Sequence, residues 1–319
     1  MPVPGRHIAI TAKVRAMYGK RLRESDFARL SACKNLGELL NHLKASPAWA
    51  PALLHMSPKD VSRASLEEAL HTHVMEETAR LYRFMASTGK GTLLFPLYRF
   101  ELTCILQRFQ KLQMSIPDFF KTASKLDFNL LSHALTWRDI VRAGERTIYK
   151  QALAEIPLSP ESGKPDILAL ELALWGAYYK KLFHHSFGAE ADLKNITHIL
   201  RLKQSFPHML NSAEALLIPV FYKLKPAFFQ RLIEAKDQRQ AMLLLDETIY
   251  GPLFRKFQFS RIEQYAACYL EDLNRKELLK AVPSPYIPAA YLHLKGQELS
   301  RLIQTIEEVY YKRQEAPWQ

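Results

Sequence analysis

The chain has 319 residues, 48% of them hydrophobic and 24% charged, with a formal net charge of +12. That balance suits a globular protein with ample apolar surface for a core. Its three cysteines, Cys33, Cys104 and Cys268, are odd in number, far apart and without a CxxC spacing. They speak for a reducing cytoplasm and no disulfide framework, and against a cysteine-based metal site. Met1-Pro2-Val3-Pro4-Gly5-Arg6-His7 has no apolar run behind it, so no secretory leader is expected. The longest strongly apolar stretch, residues 215–222, is far below the ~20 residues that cross a bilayer, and Pro219 interrupts it.

The positive charge is uneven. The first 44 residues hold nine basic residues against three acidic ones, which is half of the excess. Such a face fits solvent or an acidic partner. No RRM, KH, zinc-finger or basic-zipper pattern accompanies it, so a protein or membrane-surface partner is favoured over nucleic acid.

In chain order, Ile10-Thr11-Ala12-Lys13-Val14-Arg15 opens a pattern that returns later. Asp26-Phe27-Ala28-Arg29-Leu30 is a short phenylalanine-bearing segment, and Ser46-Pro47-Ala48-Trp49 is a turn ending in an aromatic. Residues 65–85 then read as an amphipathic helix, with Leu66, Leu70, Val74 and Leu81 near one face and Ser65 as the N-cap. A joint follows at Gly89-Lys90-Gly91.

Leu102-Thr103-Cys104-Ile105-Leu106-Gln107 repeats the opening pattern 92 residues on, followed by Pro117-Asp118-Phe119-Phe120 and Thr147-Ile148-Tyr149. After a loop over residues 157–165, a helix is expected over 167–187, opened by Pro165-Asp166, with a joint at Phe187-Gly188-Ala189. The third copy, Ile196-Thr197-His198-Ile199-Leu200-Arg201, comes 94 residues after the second, with Phe228-Phe229-Gln230-Arg231-Leu232 and Thr248-Ile249-Tyr250 behind it. Helices are expected over 262–281, after Ser260, and over 291–311, after a proline-rich breaker run. The last helix carries a fourth copy, Leu299-Ser300-Arg301-Leu302-Ile303-Gln304. No stretch alternates like a strand. The expectation is an all-α fold in one body spanning 1–319, built of repeats at approximately 1–91, 92–188 and 189–319. The three units should superpose with Thr11, Thr103 and Thr197 paired.

Candidate chemistry is thin. Ser87-Thr88-Gly89-Lys90-Gly91-Thr92 lacks the P-loop's first glycine, because Phe84 holds that position. It also lacks the hydroxyl after the lysine, because Gly91 stands there. It reads as an inter-helix turn. His71-x-His73 and His184-His185 lack the i,i+4 spacing of helical metal ligands and read as surface or packing residues. Adjacent acids such as Glu67-Glu68, Glu76-Glu77 and Glu307-Glu308 diverge on a helix. Tyr178-Tyr179 and Tyr310-Tyr311 read as core-boundary aromatics. No catalytic, cofactor-binding or metal-binding residues, no small-molecule substrate and no nucleotide affinity are expected.

Several motifs carry a family resemblance. Ala12-Lys13-Val14-Arg15-Ala16-Met17, Asp192-x-x-Asn195-Ile196-x-x-x-x-Arg201-x-Lys203 and Pro288-x-x-Tyr291-Leu292-x-x-Lys295-x-x-Glu298 resemble segments of the C-type stalk protein of V-type and A-type rotary ATPases, the family that includes the d-type protein of the vacuolar ATPase. The order and length of the chain agree throughout. Departures are Gly296, where the family carries an acid, Arg301 and Ile303, where Asn and Arg are common, Glu101 where an Asn sits, Gln107 for an Arg, and Trp49 for a Tyr.

The resemblance implies an all-helical, funnel-like body of three pseudo-equivalent units around a central axis. It implies a non-catalytic central-stalk rotor component, peripheral on the cytoplasmic face of the membrane. The partners it implies are the rotor axle subunits D and F and the membrane proteolipid ring, and the role is to couple torque to proton or sodium transport. The alternative is a generic helical-repeat scaffold binding an acidic protein, a membrane surface or nucleic acid. Lys13, Arg15, Arg201 and Lys203 are the candidate interface residues. Their competing role is structural, on helix C-terminal carbonyls or on acids between repeats.

Overall fold

The computed structural model describes residues 4–85, 89–113, 116, 121, 123–208, 210, 216–254 and 262–315, with side chains described from residue 8 to residue 311 except His185. Among these residues there are sixteen α-helices and no strand. The first stretch holds α1 (Pro4–Gly19), α2 (Glu24–Ser31), α3 (Leu36–Lys44), α4 (Ala50–Leu53), α5 (Arg63–Phe84) and a 3-10 turn over Lys90–Leu94. Next come α6 (Phe95–Phe109), α7 (Phe128–Ser132), α8 (Trp137–Ala143), α9 (Lys150–Glu155) and α10 (Ile167–Lys181). The remainder holds α11 (His185–Ser205), α12 (Pro226–Glu234), α13 (Gln238–Asp246), α14 (Gly251–Phe254), α15 (Ile262–Leu278) and α16 (Ile287–Glu315). Two compact units result: Met1–Leu94 together with Asn274–Gln319, and Phe95–Leu273.

In the first unit α16 packs on α1, α2, α3 and α5. Its buried Leu299, Leu302, Ile306 and Val309 meet Phe27, Leu30, Leu39, Leu40, Trp49 and Leu70 in one core. In the second unit α10 packs on α6, and α6 packs on α7 and α8. A further core there joins Leu193, Ile196 and Leu200 of α11 to Phe229, Leu232, Leu245, Tyr250 and Phe254.

The short helices recur with a period that the long helices do not share. Phe27, Phe128 and Phe229 are each 101 residues apart, and so are Leu30, Leu131 and Leu232. All six are buried, so each copy presents a Phe-x-x-Leu edge, one helical turn apart, to its long helix. The next helix of each copy starts on an N-cap at the same spacing. Asn35 accepts from Glu38 N at 2.9 Å, Thr136 from Asp139 N at 3.3 Å and Asp237 from Gln240 N at 2.7 Å. In return the third helical residue accepts a backbone N–H from before the helix: Glu38 from Lys34, Asp139 from Leu135 and Gln240 from Lys236. Two orphan amides are satisfied each time.

The turn that follows is also repeated. Thr147 and Thr248 each donate to a carbonyl three residues back at 2.7 Å and accept from the amide of the tyrosine two residues on at 3.1 Å. Tyr149, Tyr250 and Trp49 are all fully buried. We call each set of three short helices with its buried aromatic a module.

Several expectations shift. Pro117-Asp118-Phe119-Phe120 lies outside the described residues, and Phe128 on α7 fills the role assigned to it. The helix expected from Ser65 begins at Arg63 on the cap Ser62, with Ser65 closing the box. The helix expected over 167–187 ends at Lys181, where Lys180 and Lys181 complement the exposed carbonyls. Phe187-Gly188-Ala189 is then no joint but part of α11. A Cβ on Gly188 would stand 2.5 Å from the Tyr222 ring, so the glycine serves close packing. The expected helix over 262–281 ends at Leu278, and its expected leader Ser260 lies outside the described residues. Thr103, Thr197 and Ser300 donate to carbonyls four residues back. Thr11 is buried on α1 with no hydrogen-bond partner among the described residues.

Truncating one repeated core position tests the module directly. Phe229→Ala is expected to destabilise the chain by about 3–5 kcal/mol and Asp237→Ala by about 1 kcal/mol. Denaturant unfolding checks both, and a Phe229→Ala cost no larger than the cap's would show that this edge is not core.

Candidate functional site

Three of the four long helices that carry the Ile/Leu-Thr/Ser pair have a polar residue immediately before it, Glu101 on α6, Asn195 on α11 and Glu298 on α16, while α1 has Ala9 there. Glu101 and Asn195 are buried, and Glu298 is largely so. A group without water must find partners within the protein, since leaving it bare costs about 1–3 kcal/mol. All three find partners in the chain that leads to a module, although Glu101 Oε2 is left without one among the described residues.

In the first unit, Glu298 Oε1 accepts from Leu22 N at 2.8 Å and from Trp49 Nε1 at 3.0 Å. Lys295 Nζ lies 3.6 Å from Glu298 Oε2 and 3.4 Å from the Trp49 ring centre. Burial pulls the Lys295 ammonium below its ordinary range, and Glu298 and Glu77 oppose that shift. One turn back, Tyr291 donates to Glu77 Oε2 at 2.9 Å. His73 Nε2 stands 3.0 Å from Ala48 O and 3.5 Å from Glu77 Oε1. Burial alone would raise the Glu77 carboxyl, but His73, Lys295 and Tyr291 together hold it below its usual value. The result is a buried ionic network joining α5, α16 and the turn at Trp49.

In the second unit Asp192 is fully buried on α11 and accepts four bonds. Tyr222 N and Lys223 N reach it at 3.0 and 2.8 Å, Leu224 N at 3.3 Å and Tyr250 Oη at 3.0 Å. Asn195 exchanges both bonds with Ile218, amide to carbonyl at 3.0 Å and N–H to amide oxygen at 2.9 Å. On α6, Glu101 Oε1 accepts from Ser124 Oγ at 2.5 Å, and Tyr149 donates to Tyr98 O at 2.6 Å. Burial pushes the Glu101 carboxyl up to about 7. Glu101 is the residue standing where the family resemblance calls for an Asn. A protonated acid, one donor and one acceptor, is the carboxyl form nearest to that amide. Elsewhere in this unit Arg99 pairs with Glu190 at 2.9 Å against Tyr178, and Lys194 lies 4.1 Å over the Trp175 ring.

The four basic residues all have partners within the chain. Lys13 Nζ lies 3.8 Å over the exposed Phe84 ring. Arg15 donates from Nε to Leu278 O at 2.9 Å and from Nη2 to Lys280 O, closing the C-terminus of α15. Lys203 Nζ donates to Ile233 O at 2.7 Å and Ala235 O at 2.6 Å, closing the C-terminus of α12. Arg201 pairs with Glu263 on the surface. Arg108, which no sequence motif singles out, closes the C-terminus after α7 on Ala134 O in the same manner as Lys203.

Of the histidine pairs, His73 joins the buried network, His184 occupies the N-cap position of α11, and the side chain of His185 lies outside the described residues. Ser87 and Thr88 of the phosphate-loop candidate also lie outside them. Gly89 sits at φ +86° against Pro285, and a helix precedes it where a P-loop needs a strand.

Residues 10–316 match the family described as ATP synthase (C/AC39) subunit. The chain belongs to that family. It is 24% identical over 273 residues to a Methanosphaera stadtmanae protein, named as the C component of an A-type ATP synthase, covering 76% of this chain and 66% of that one. It is 23% identical over 319 positions to the Pyrococcus horikoshii protein of the same name, covering 91% of this chain and 83% of that one. Within this member of the C/AC39 family, the motif residues Asp192, Asn195, Tyr291, Lys295 and Glu298 are the buried polar partners described above. None of these five side chains is exposed. No helix among the described residues is long and apolar enough to cross a membrane.

The Glu101 environment makes a pH prediction. A carboxyl raised from 4.5 to about 7 contributes stability that is complete below 4.5 and is lost as pH climbs through 7. Glu101→Gln should remove that slope, leaving the variant more stable than the parent by about 2–3 kcal/mol at pH 8 relative to their difference at pH 4.5. Parallel unfolding curves for the two proteins across this range would refute it.

Proposed function

We propose that the chain is the non-catalytic central-stalk component of an A/V-type ATP synthase. In this reading it is a rotor part that couples the D–F axle to the proteolipid ring for proton or sodium transport. The observation that carries the proposal is the family match across residues 10–316. The two archaeal relatives, each named as the C component of an A-type ATP synthase, support it.

The physical character of the buried sites fits that work. A part that transmits torque must resist shear between its helices. Bonds such as Leu22 to Glu298 and Tyr291 to Glu77 tie segments more than 200 residues apart. The excess positive charge suits acidic partner surfaces, where it speeds encounter and sets register. A seat on the cytoplasmic face of the membrane through the ring requires no spanning helix of the chain's own. Three modules arranged about one axis belong to the same proposal, supported by the 101-residue recurrence of Phe27, Phe128 and Phe229.

Mixing the purified chain with a D–F axle and a detergent-solubilised proteolipid ring is expected to give one complex containing all three on size exclusion. Failure to bind either partner would overturn the proposal. Calorimetric titration of the isolated chain with Mg-ATP is expected to show no micromolar binding. Arg15→Ala should lower the melting temperature and leave axle binding unchanged, because its guanidinium closes a helix end. Arg201→Ala removes an exposed pair and should change stability by no more than about 0.5 kcal/mol. Axle binding by that variant then reads any interface role directly.

A further inference from the structure

We infer that Cys33, Glu38 and His42 form a site for a single zinc-class transition-metal ion at the corner between α2 and α3. Their ligand atoms, one thiol sulfur, one carboxylate oxygen and one imidazole nitrogen, all lie within 4.8 Å of one another. Glu38 and His42 are one helical turn apart on α3, the i,i+4 spacing that turns two side chains to one point. Cys33 comes from the turn that ends α2, so the ion would join two elements. Both α3 residues are exposed; Glu38 is held in place by its cap on Lys34 N, and His42 can close on the buried sulfur by side-chain rotation.

The modules supply an internal control. The positions of Cys33, Glu38 and His42 are Ala134, Asp139 and Ala143 in the second module and Ala235, Gln240 and Leu244 in the third. The middle position is polar in all three because it caps its helix, as Glu38 does through Lys34 N at 2.9 Å. The fold therefore accounts for Glu38. Cys33 packs in the core and its thiol donates to Arg29 O at 3.4 Å, but alanine packs buried at the same position in both other modules, so the core there does not require a sulfur. Only the first module places three metal-binding side chains there.

The ligand set chooses the ion. A thiolate, an imidazole and a carboxylate together suit zinc, with water in the fourth tetrahedral position, and are poorly matched to calcium or magnesium. Burial and the Glu38 charge hold the Cys33 thiol above its ordinary range in the free protein. Metal binding must therefore release the Sγ proton to solvent, and the thiolate then bonds to the ion. Glu38 keeps its second oxygen on Lys34 N, which fixes the carboxylate's orientation.

The test is cobalt(II) titration of the full reduced chain, with zinc as competitor. A thiolate-to-cobalt charge-transfer band and a tetrahedral d–d envelope are expected, displaced by zinc. Cys33→Ala should abolish the charge-transfer band, and Cys268→Ala should leave it intact. His42→Ala, an exposed substitution matching Ala143, should fold normally, weaken cobalt binding about tenfold or more and remove the rise in melting temperature that zinc gives the parent. Absence of the band at saturating cobalt, its loss in Cys268→Ala, or unchanged affinity and zinc stabilisation in His42→Ala would each overturn the site.

Discussion

The fold depends on one requirement: a polar side chain placed on the buried face of a long helix has to be answered by backbone from a neighbouring loop. Asp192 states it most fully, with three consecutive amides and the Tyr250 hydroxyl converging on one carboxylate. A typical hydrogen bond adds only about 0.5–1.5 kcal/mol net, while an orphaned buried group costs about 1–3 kcal/mol. The larger number is the cost of misplacement. These contacts therefore fix where the loop enters its module more than they add to stability. The apolar edge of Phe229 and Leu232 can slide on Ile196 and Leu200, but four donors aimed at Asp192 cannot.

The same logic sorts the charged residues. Lys295 and Glu298 on one helix, with Glu77 and His73 on another, form a network whose members would each be costly alone. Arg15, Arg108 and Lys203 work differently, delivering cations to helix C-termini where carbonyls lack intrahelical partners. The family-like motifs thus read as a record of internal wiring. Within them Arg201 is the exception, facing outward in an exposed pair with Glu263.

Much of this was legible in the sequence, and the misses have physical causes. Helices, the loop over 157–165 and the Thr-Ile-Tyr turns followed from period and turn chemistry. Pro117-Asp118-Phe119-Phe120, which has the look of a helix start, lies outside the described residues. The described copies share Phe-x-x-Leu at a spacing of 101, a period different from the 92 and 94 at which the long-helix pattern recurs. The end of α10 at Lys181 lacks a Gly or Pro signal, and Gly188 drew the boundary to itself although it serves Tyr222. The ionic network was out of reach because Glu77 and Tyr291 are 214 positions apart and nothing local links them.

The first module rests on the last helix. Trp49 and Leu22 are satisfied by Glu298, at separations of 249 and 276 residues, and their core is completed by Leu299, Leu302 and Ile306. During synthesis the modules behind α6 and α11 emerge already beside their own long helix. The N-terminal module leaves the ribosome without one. The part of its apolar edge that faces α16 stays uncovered until translation is nearly complete, and closing so long a loop is slow. The first residues made are thus among the last to be buried. A chain stopped short of residue 287 would forfeit structure at its beginning as well as at its end.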